Sequence, residues 1–239
     1  GGGLDAAAAA FGGAREDWLD LSTGINPVAY PVGEVKQASW AELPDHAAVE
    51  RFTAAARSFW SVPDGAAIVP APGASALIAR LPALIEGQRV RIPGPTYNEH
   101  AASFGAAGWS VVPEGEADAQ VRVHPNNPDG RRMAERDFGA TPVTIIDESF
   151  CDTCPDASLV AHAADPGVVM LKSFGKFWGL AGLRLGAMIA APDLCARMTD
   201  ALGPWAVSGP ALEIGARALE DRSWAETTRR RLARDASRL

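Results

Sequence analysis

Apolar side chains recur at helical spacing over residues 48–60, where Val49, Phe52, Ala56, Phe59 and Trp60 predict an amphipathic helix. Beyond it the rhythm changes. Short β-prone runs at 67–70, 89–92, 109–112, 120–123, 143–146 and 168–171 are separated in several places by Ala/Leu-rich helical stretches such as 75–84 and 99–107. Alternating strand and helix predicts an α/β fold, a mostly parallel sheet with helices on both faces. Residues 185–190 read as one more strand and 192–202 as a helix. The stretch 210–239 reads as a long charged helix with a break near Asp221. Before residue 48 lie a Gly/Ala-rich start, an apolar patch at 18–21 and a turn-rich segment at 22–31. Two connections are short for this plan. Seven residues separate 112 from 120, and between 123 and 143 the stretch 126–141 leaves room for only a short helix. A parallel crossover usually takes about a dozen residues or more, so either the fold is compressed there or the chain lacks residues.

Composition narrows the class of partner. The 239 residues are 47% hydrophobic and 21% charged, an ordinary globular balance. Asp plus Glu (29) exceeds Lys plus Arg (22), for a formal charge of −7. That balance excludes nucleic acid and an anionic membrane as main partners and leaves room for a locally basic pocket. No apolar run is long enough to span a bilayer, and residues 1–10 lack the basic start of a signal peptide. The cytoplasm is therefore the expected location. Cys151, Cys154 and Cys195 make no disulfide framework. Cys151-x-x-Cys154 could be redox-active or half a zinc site, but no second Cys or His pair accompanies it, so packing is the expectation and no metal is called for.

Ligands collect at the carboxyl ends of strands in an open parallel sheet, and three features fall there. Asp147 ends one strand. Ser173 and Lys176 follow another. Ile68 to Ser75 runs strand, glycine turn, helix start, with backbone N–H groups suited to a phosphate. Arg184 could supply positive charge to the same phosphate, and Tyr97 follows a strand in the loop Pro93-Gly94-Pro95-Thr96-Tyr97. Each has a plainer reading: a capping Asp, a solvated Lys, an ordinary helix start, a core Tyr. Their order and common sheet edge fit pyridoxal phosphate. That cofactor needs a lysine for its aldehyde, an acid against its ring nitrogen, a phosphate cup and an aromatic face.

The segment Ser173-Phe174-Gly175-Lys176-Phe177-Trp178-Gly179-Leu180-Ala181-Gly182-Leu183-Arg184 resembles the lysine segment of fold-type-I pyridoxal-phosphate enzymes in the histidinol-phosphate aminotransferase branch. Pro125-Asn126-Asn127-Pro128-Asp129-Gly130 resembles that branch's Asn-Pro-x-Gly loop. Within the branch, four details are similar to the threonine-phosphate decarboxylases of cobalamin biosynthesis. They are Ser22-Thr23-Gly24-Ile25-Asn26-Pro27, Pro95-Thr96-Tyr97-Asn98-Glu99-His100, Asp129-Gly130-Arg131, and Phe-Gly-Lys at the lysine. The resemblance implies an aspartate-aminotransferase-like fold. It also implies that Lys176 carries the cofactor, Asp147 pairs with its ring nitrogen, Tyr97 stacks on the ring and Asn127 bonds the 3′ oxygen. Ala74, Ser75, Ser173 and Arg184 would hold the phosphate; Gly24, Asn26 and Asn127 would lie against a small phosphorylated amino-acid substrate.

Two positions depart from the branch. Phe150 stands where the aminotransferases carry a hydroxyl-donating Tyr, which favours decarboxylation, and His124 stands in place of Asn. The implied organisation is an N-terminal segment at 1–30, a large cofactor domain at 31–205, and a linking helix opening a small domain at 206–239. The arginine that grips the substrate carboxylate is expected beyond Leu239, and a homodimer is implied. The competing readings are a histidinol-phosphate-type aminotransferase and a non-catalytic cofactor-binding module. The missing basic recognition segment argues against a module of the DNA-binding kind.

Overall fold

The computed structural model describes residues 3–134 and 137–238. Helices α1 (Leu4–Phe11), α2 (Gln37–Ala41) and α3 (His46–Trp60) precede the sheet. Then come β1 (Ala67–Ala71), α4 (Ala74–Leu84), β2 (Arg89–Arg91), α5 (Asn98–Ala106), β3 (Ser110–Val112) and β4 (Ala119–Val123). Strands β5 (Val143–Asp147), β6 (Val168–Ser173) and β7 (Gly186–Ala190) follow, then α6 (Pro192–Leu202), α7 (Gly209–Glu220) and α8 (Arg222–Ala236).

All seven strands share one sheet in the order β1-β7-β6-β5-β4-β2-β3. Pairings from β3 through β6 are parallel, and β7 runs antiparallel to both β1 and β6. The mostly parallel reading holds, with β7 as its exception. The chain leaves β6 at the carboxyl edge and re-enters after 174–185 without a crossover helix, so it must run backwards. Both short connections lack an α-helix among the described residues. At 113–118 this is possible because β2 and β3 are three residues each, roughly 10 Å long. Asp118 then fixes the return, its carboxylate accepting the Gln88 and Arg89 N–H groups at 2.8 and 3.0 Å.

Strand periodicity divides the core in two. Ile145, Val169 and Met188 face a cluster with Leu77 and Leu81 of α4, Phe104 of α5 and Met198 of α6. Their neighbours Ile146, Met170 and Ile189 face α3 and α7, with Phe52, Trp60, Phe174 and Trp178. Helix α7 lies so close that a Cβ on Gly215 would meet Leu185 Cδ2 at 2.3 Å and Phe52 Cε2 at 3.0 Å. The expected break falls at Asp221, which leaves helical geometry (φ −87°, ψ 73°) and caps α8 by accepting the Trp224 N–H at 2.9 Å. Helix α1 was not expected; its alanine run has no polar–apolar contrast to mark a face. The apolar patch at 18–21 leaves Leu19 and Leu21 exposed.

Candidate active site

Strands β1, β5 and β6 point their carboxyl ends at the same edge. At that edge Gly73 turns β1 into α4 with φ +83°, and a Cβ there would meet Arg184 Nη2 at 2.5 Å. Glycine is therefore required for the guanidinium to lie across the helix start. Arg184, itself left-handed at φ 53°, donates through Nη2 to Ser75 Oγ at 3.2 Å and through Nη1 to the Ala181 carbonyl at 2.9 Å. No side chain caps α4. A helix N-terminus, a hydroxyl and a guanidinium thus meet at one place, a donor set suited to a phosphate.

Eight of the sequence-predicted residues line one cleft of about 160 Å³: Ala74, Ser75, Tyr97, Asn127, Asp147, Ser173, Lys176 and Arg184. Asp147 is buried at the end of β5. Its Oδ1 accepts from the Ser149 N–H at 3.0 Å and hydroxyl at 2.5 Å, and its Oδ2 accepts from His100 Nε2–H at 2.9 Å. Burial pushes its pKa up, but the His100 and Ser149 bonds outweigh burial and hold it below the ordinary carboxylate value. Asp147 is thus an anion held ready at neutral pH. Lys176 lies on the loop after β6, its Nζ 5.4 Å from the Phe150 ring centroid, and its carbonyl accepts the Asn26 and Gly179 N–H groups. Tyr97 precedes the first residue of α5, with its ring edge-on to His100 at 6.0 Å. Asn126 ties that loop to the Asn127 loop, accepting from Thr96 Oγ1 at 2.6 Å and donating to the Pro95 carbonyl at 3.0 Å.

Gly24 and Asn26 lie apart from these eight, in an adjoining cleft beside Lys176 and α8. A Cβ on Gly24 would meet Phe150 Cε1 at 2.8 Å. Asn26 is buried, donating Nδ2 to the Phe177 carbonyl at 2.8 Å and accepting from Arg231 Nη2 at 2.7 Å. Its amide straps the N-terminal segment to the lysine loop. His124 anchors its own turn, Nδ1 accepting the Met133 N–H at 2.8 Å and Nε2–H donating to the Ala157 carbonyl at 2.7 Å. Although His124, Glu148 and Cys151 cluster within 4.8 Å, neither imidazole nitrogen keeps a free lone pair for a metal.

Sequence reasoning gave no role to two supports of this site. His100 sits three residues past Tyr97 in the first turn of α5, a visible spacing whose meaning depends on where β5 ends. Beneath the cleft, Lys172 Nζ donates to Glu148 Oε2 at 2.5 Å, both buried. Asp152 accepts the Trp60 and Trp178 indole N–H groups at 2.9 Å each. Lys172→Met should strand the Glu148 charge and destabilise the fold by about 3–5 kcal/mol. Urea unfolding checks this, and a variant within about 0.5 kcal/mol of wild type would remove that role.

A class I and II aminotransferase family matches residues 124–239. A threonine-phosphate decarboxylase from Sinorhizobium sp is 42% identical over 231 residues, covering 90% of this chain and 69% of that protein. The chain belongs to the threonine-phosphate decarboxylase family. A member of the same name from Pseudomonas aeruginosa is 35% identical, covering 100% of this chain and 76% of the relative. Among solved structures, the histidinol-phosphate aminotransferase from Sinorhizobium meliloti in complex with pyridoxal-5′-phosphate superposes with a TM-score of 0.72. It is 20% identical and covers 83% of this chain and 62% of that one. That likeness shows the fold, an aminotransferase-type α/β architecture. Family members depend on pyridoxal phosphate, and the cleft fits it: a glycine cradle under a guanidinium, a buried carboxylate held ionised and a lysine lining the same cleft.

Proposed function

We propose that this enzyme uses pyridoxal phosphate to decarboxylate L-threonine O-3-phosphate, giving aminopropanol phosphate. The observation that carries the reading is the convergence of Lys176, Asp147 and the Ser75–Arg184 pair on one cleft in a chain of this family. When bound, the cofactor supplies an electron sink for the pair released from the breaking Cα bond.

The chain's own residues do the rest. Arg184, Ser75, Ser173 and the first amides of α4, including that of Ala74, grip the cofactor phosphate. Asp147, kept anionic by His100 and Ser149, would hold a proton on the ring nitrogen. Tyr97 and Asn127 line the same cleft and would hold the cofactor ring, Tyr97 by stacking and Asn127 by a hydrogen bond. Lys176 would hold the cofactor through its amine and, once freed, would be the group placed to give a proton to Cα. The residues around Lys176 would favour decarboxylation by orienting the Cα–carboxylate bond, not Cα–H, for cleavage. Phe150 supports that outcome over transamination. It lies against Gly24 and near Lys176, with no hydroxyl to give the 3′ oxygen. Gly24 and Asn26 shape the substrate side of Lys176. We place the reaction in cobalamin biosynthesis, in the cytoplasm, by a homodimer of chains organised as 1–30, 31–205 and 206–239.

Incubation of the cofactor-loaded protein with O-phospho-L-threonine should release CO2 and aminopropanol phosphate with no 2-oxo acid present. Turnover only in the presence of a 2-oxo acid would assign an aminotransferase instead. Arg184→Ala should weaken cofactor retention by about 10- to 100-fold, the loss of hydrogen bonds to a charged group at roughly 1.5–3 kcal/mol. Equilibrium dialysis measures this, and unchanged retention would move the phosphate elsewhere.

A further inference from the structure

Cys151 and Cys154 take no part in the chemistry above, yet they begin one residue past Phe150, on the turn that underlies Lys176. Both are reduced. Cys151 is buried and Cys154 half-buried. We propose that the two form a thiol–disulfide exchange site for small thiol disulfides of the glutathione type, with Cys154 attacking and Cys151 resolving.

Geometry carries this. The Cys154 N–H donates to the Cys151 carbonyl at 2.8 Å, closing a four-residue turn. The ends of such a turn lie within about 7 Å, overlapping the roughly 4.4–6.8 Å that a disulfide spans. Cys151 S–H donates to the Cys154 carbonyl at 3.8 Å, the two side chains are near enough to interact, and Thr153 Oγ1 lies 3.8 Å from the Cys154 sulfur. The Cys151 side chain beside it and the Thr153 hydroxyl, with the Arg132 charge, bring Cys154 down to about 6 against the effect of burial. It is therefore thiolate at neutral pH. Cys151 is pushed up by the bond to Cys154, by burial and by Glu148, with Lys172 opposing. Capping Cys154 removes the first and largest of those causes, so Cys151 becomes easier to deprotonate once the first step has occurred.

The exchange balances. The Cys154 thiolate attacks one sulfur of the small disulfide; a mixed S–S bond forms and one small thiolate leaves. Cys151 loses its proton to solvent and attacks the Cys154 sulfur, forming the Cys151–Cys154 bond and expelling the second thiolate. Two protein thiols are oxidised and one small disulfide is reduced to two thiols. Cys195 is an internal control, buried in the core cluster with Leu77 and Phe104 and pushed up to about 11 by burial.

The test treats the cofactor-loaded protein with glutathione disulfide at neutral pH, followed by intact mass and peptide mapping. The wild type should lose two of its three thiols and yield a Cys151–Cys154 cross-linked peptide. Cys151→Ser should stop with one glutathionyl group on Cys154, and Cys154→Ser should not react. Iodoacetamide labelling of Cys154 should rise with pH about a midpoint near 6. Three thiols persisting in the wild type, or a glutathionyl group on Cys195, would overturn the proposal. If Cys151→Ser does not fold, the wild-type map decides alone.

Discussion

Lys176→Ala should leave a folded protein that neither holds pyridoxal phosphate covalently nor releases CO2 from O-phospho-L-threonine. Proton transfer by a positioned side chain contributes about 10²- to 10⁴-fold, and loss of the carrying amine removes turnover on top of that. The fold should survive because the lysine loop is held by its backbone. The Lys176 carbonyl accepts from Asn26 and Gly179, and the neighbouring Phe174 and Trp178 are packed into the core. The amine itself meets only the Phe150 ring among the described contacts. Absorbance, activity and urea unfolding together make the check. A variant with wild-type turnover, or one destabilised by more than about 2 kcal/mol, would contradict this division of labour.

The second large effect is expected at Asp147. Asp147→Asn keeps the shape and the Ser149 contacts but removes the negative charge that, on the proposed reading, would face the cofactor ring nitrogen. Stranding one partner of a buried charged pair costs about 3–5 kcal/mol, which is roughly 10²- to 10⁴-fold if the pair matters most as the ring accepts electrons. The loss should therefore fall on kcat more than on KM, with weakened but measurable cofactor binding and a shifted absorbance band. His100→Phe should move the same observables in the same direction by less, because His100 supports the charge of Asp147 while a Phe ring keeps the edge contact with Tyr97. The pH dependence has a definite sign. Asp147's folded pKa lies below its ordinary value, so its contribution to stability is present above the ordinary carboxylate range. That contribution is lost as pH falls through the lowered value. An Asp147→Asn protein that is as active as wild type, or whose acid unfolding is unchanged, would count against the role.

Much of this architecture was legible in the chain. The strand periodicities at 67–70, 143–146 and 168–171 mark buried strands, and in a parallel sheet strand ends are where Asp147, Ser173 and Lys176 must gather. The break at Asp221 was readable because a capping Asp falls between two helical runs. Other features depend on distances that no local pattern encodes. The reversal of β7 follows from how the lysine loop turns, and the compressed β3–β4 return follows from strands only three residues long. The His100–Asp147 bond joins residues 47 apart, so it exists only once α5 is docked beside β5. Lys172 looked like any strand-end lysine until its partner Glu148 was seen buried with it.

That last contrast supplies the most direct test. The chain has three lysines, Lys36, Lys172 and Lys176. Lys36 is exposed far along the chain from the lysine loop, Lys172 is buried in its ion pair, and only Lys176 lines the cleft. Borohydride reduction of the cofactor-loaded protein, followed by peptide mapping, locates the lysine that carries the cofactor. The pyridoxyl group is predicted on Lys176 alone. Its recovery on Lys172 or Lys36, or on no lysine of a protein that turns over O-phospho-L-threonine, would contradict the account.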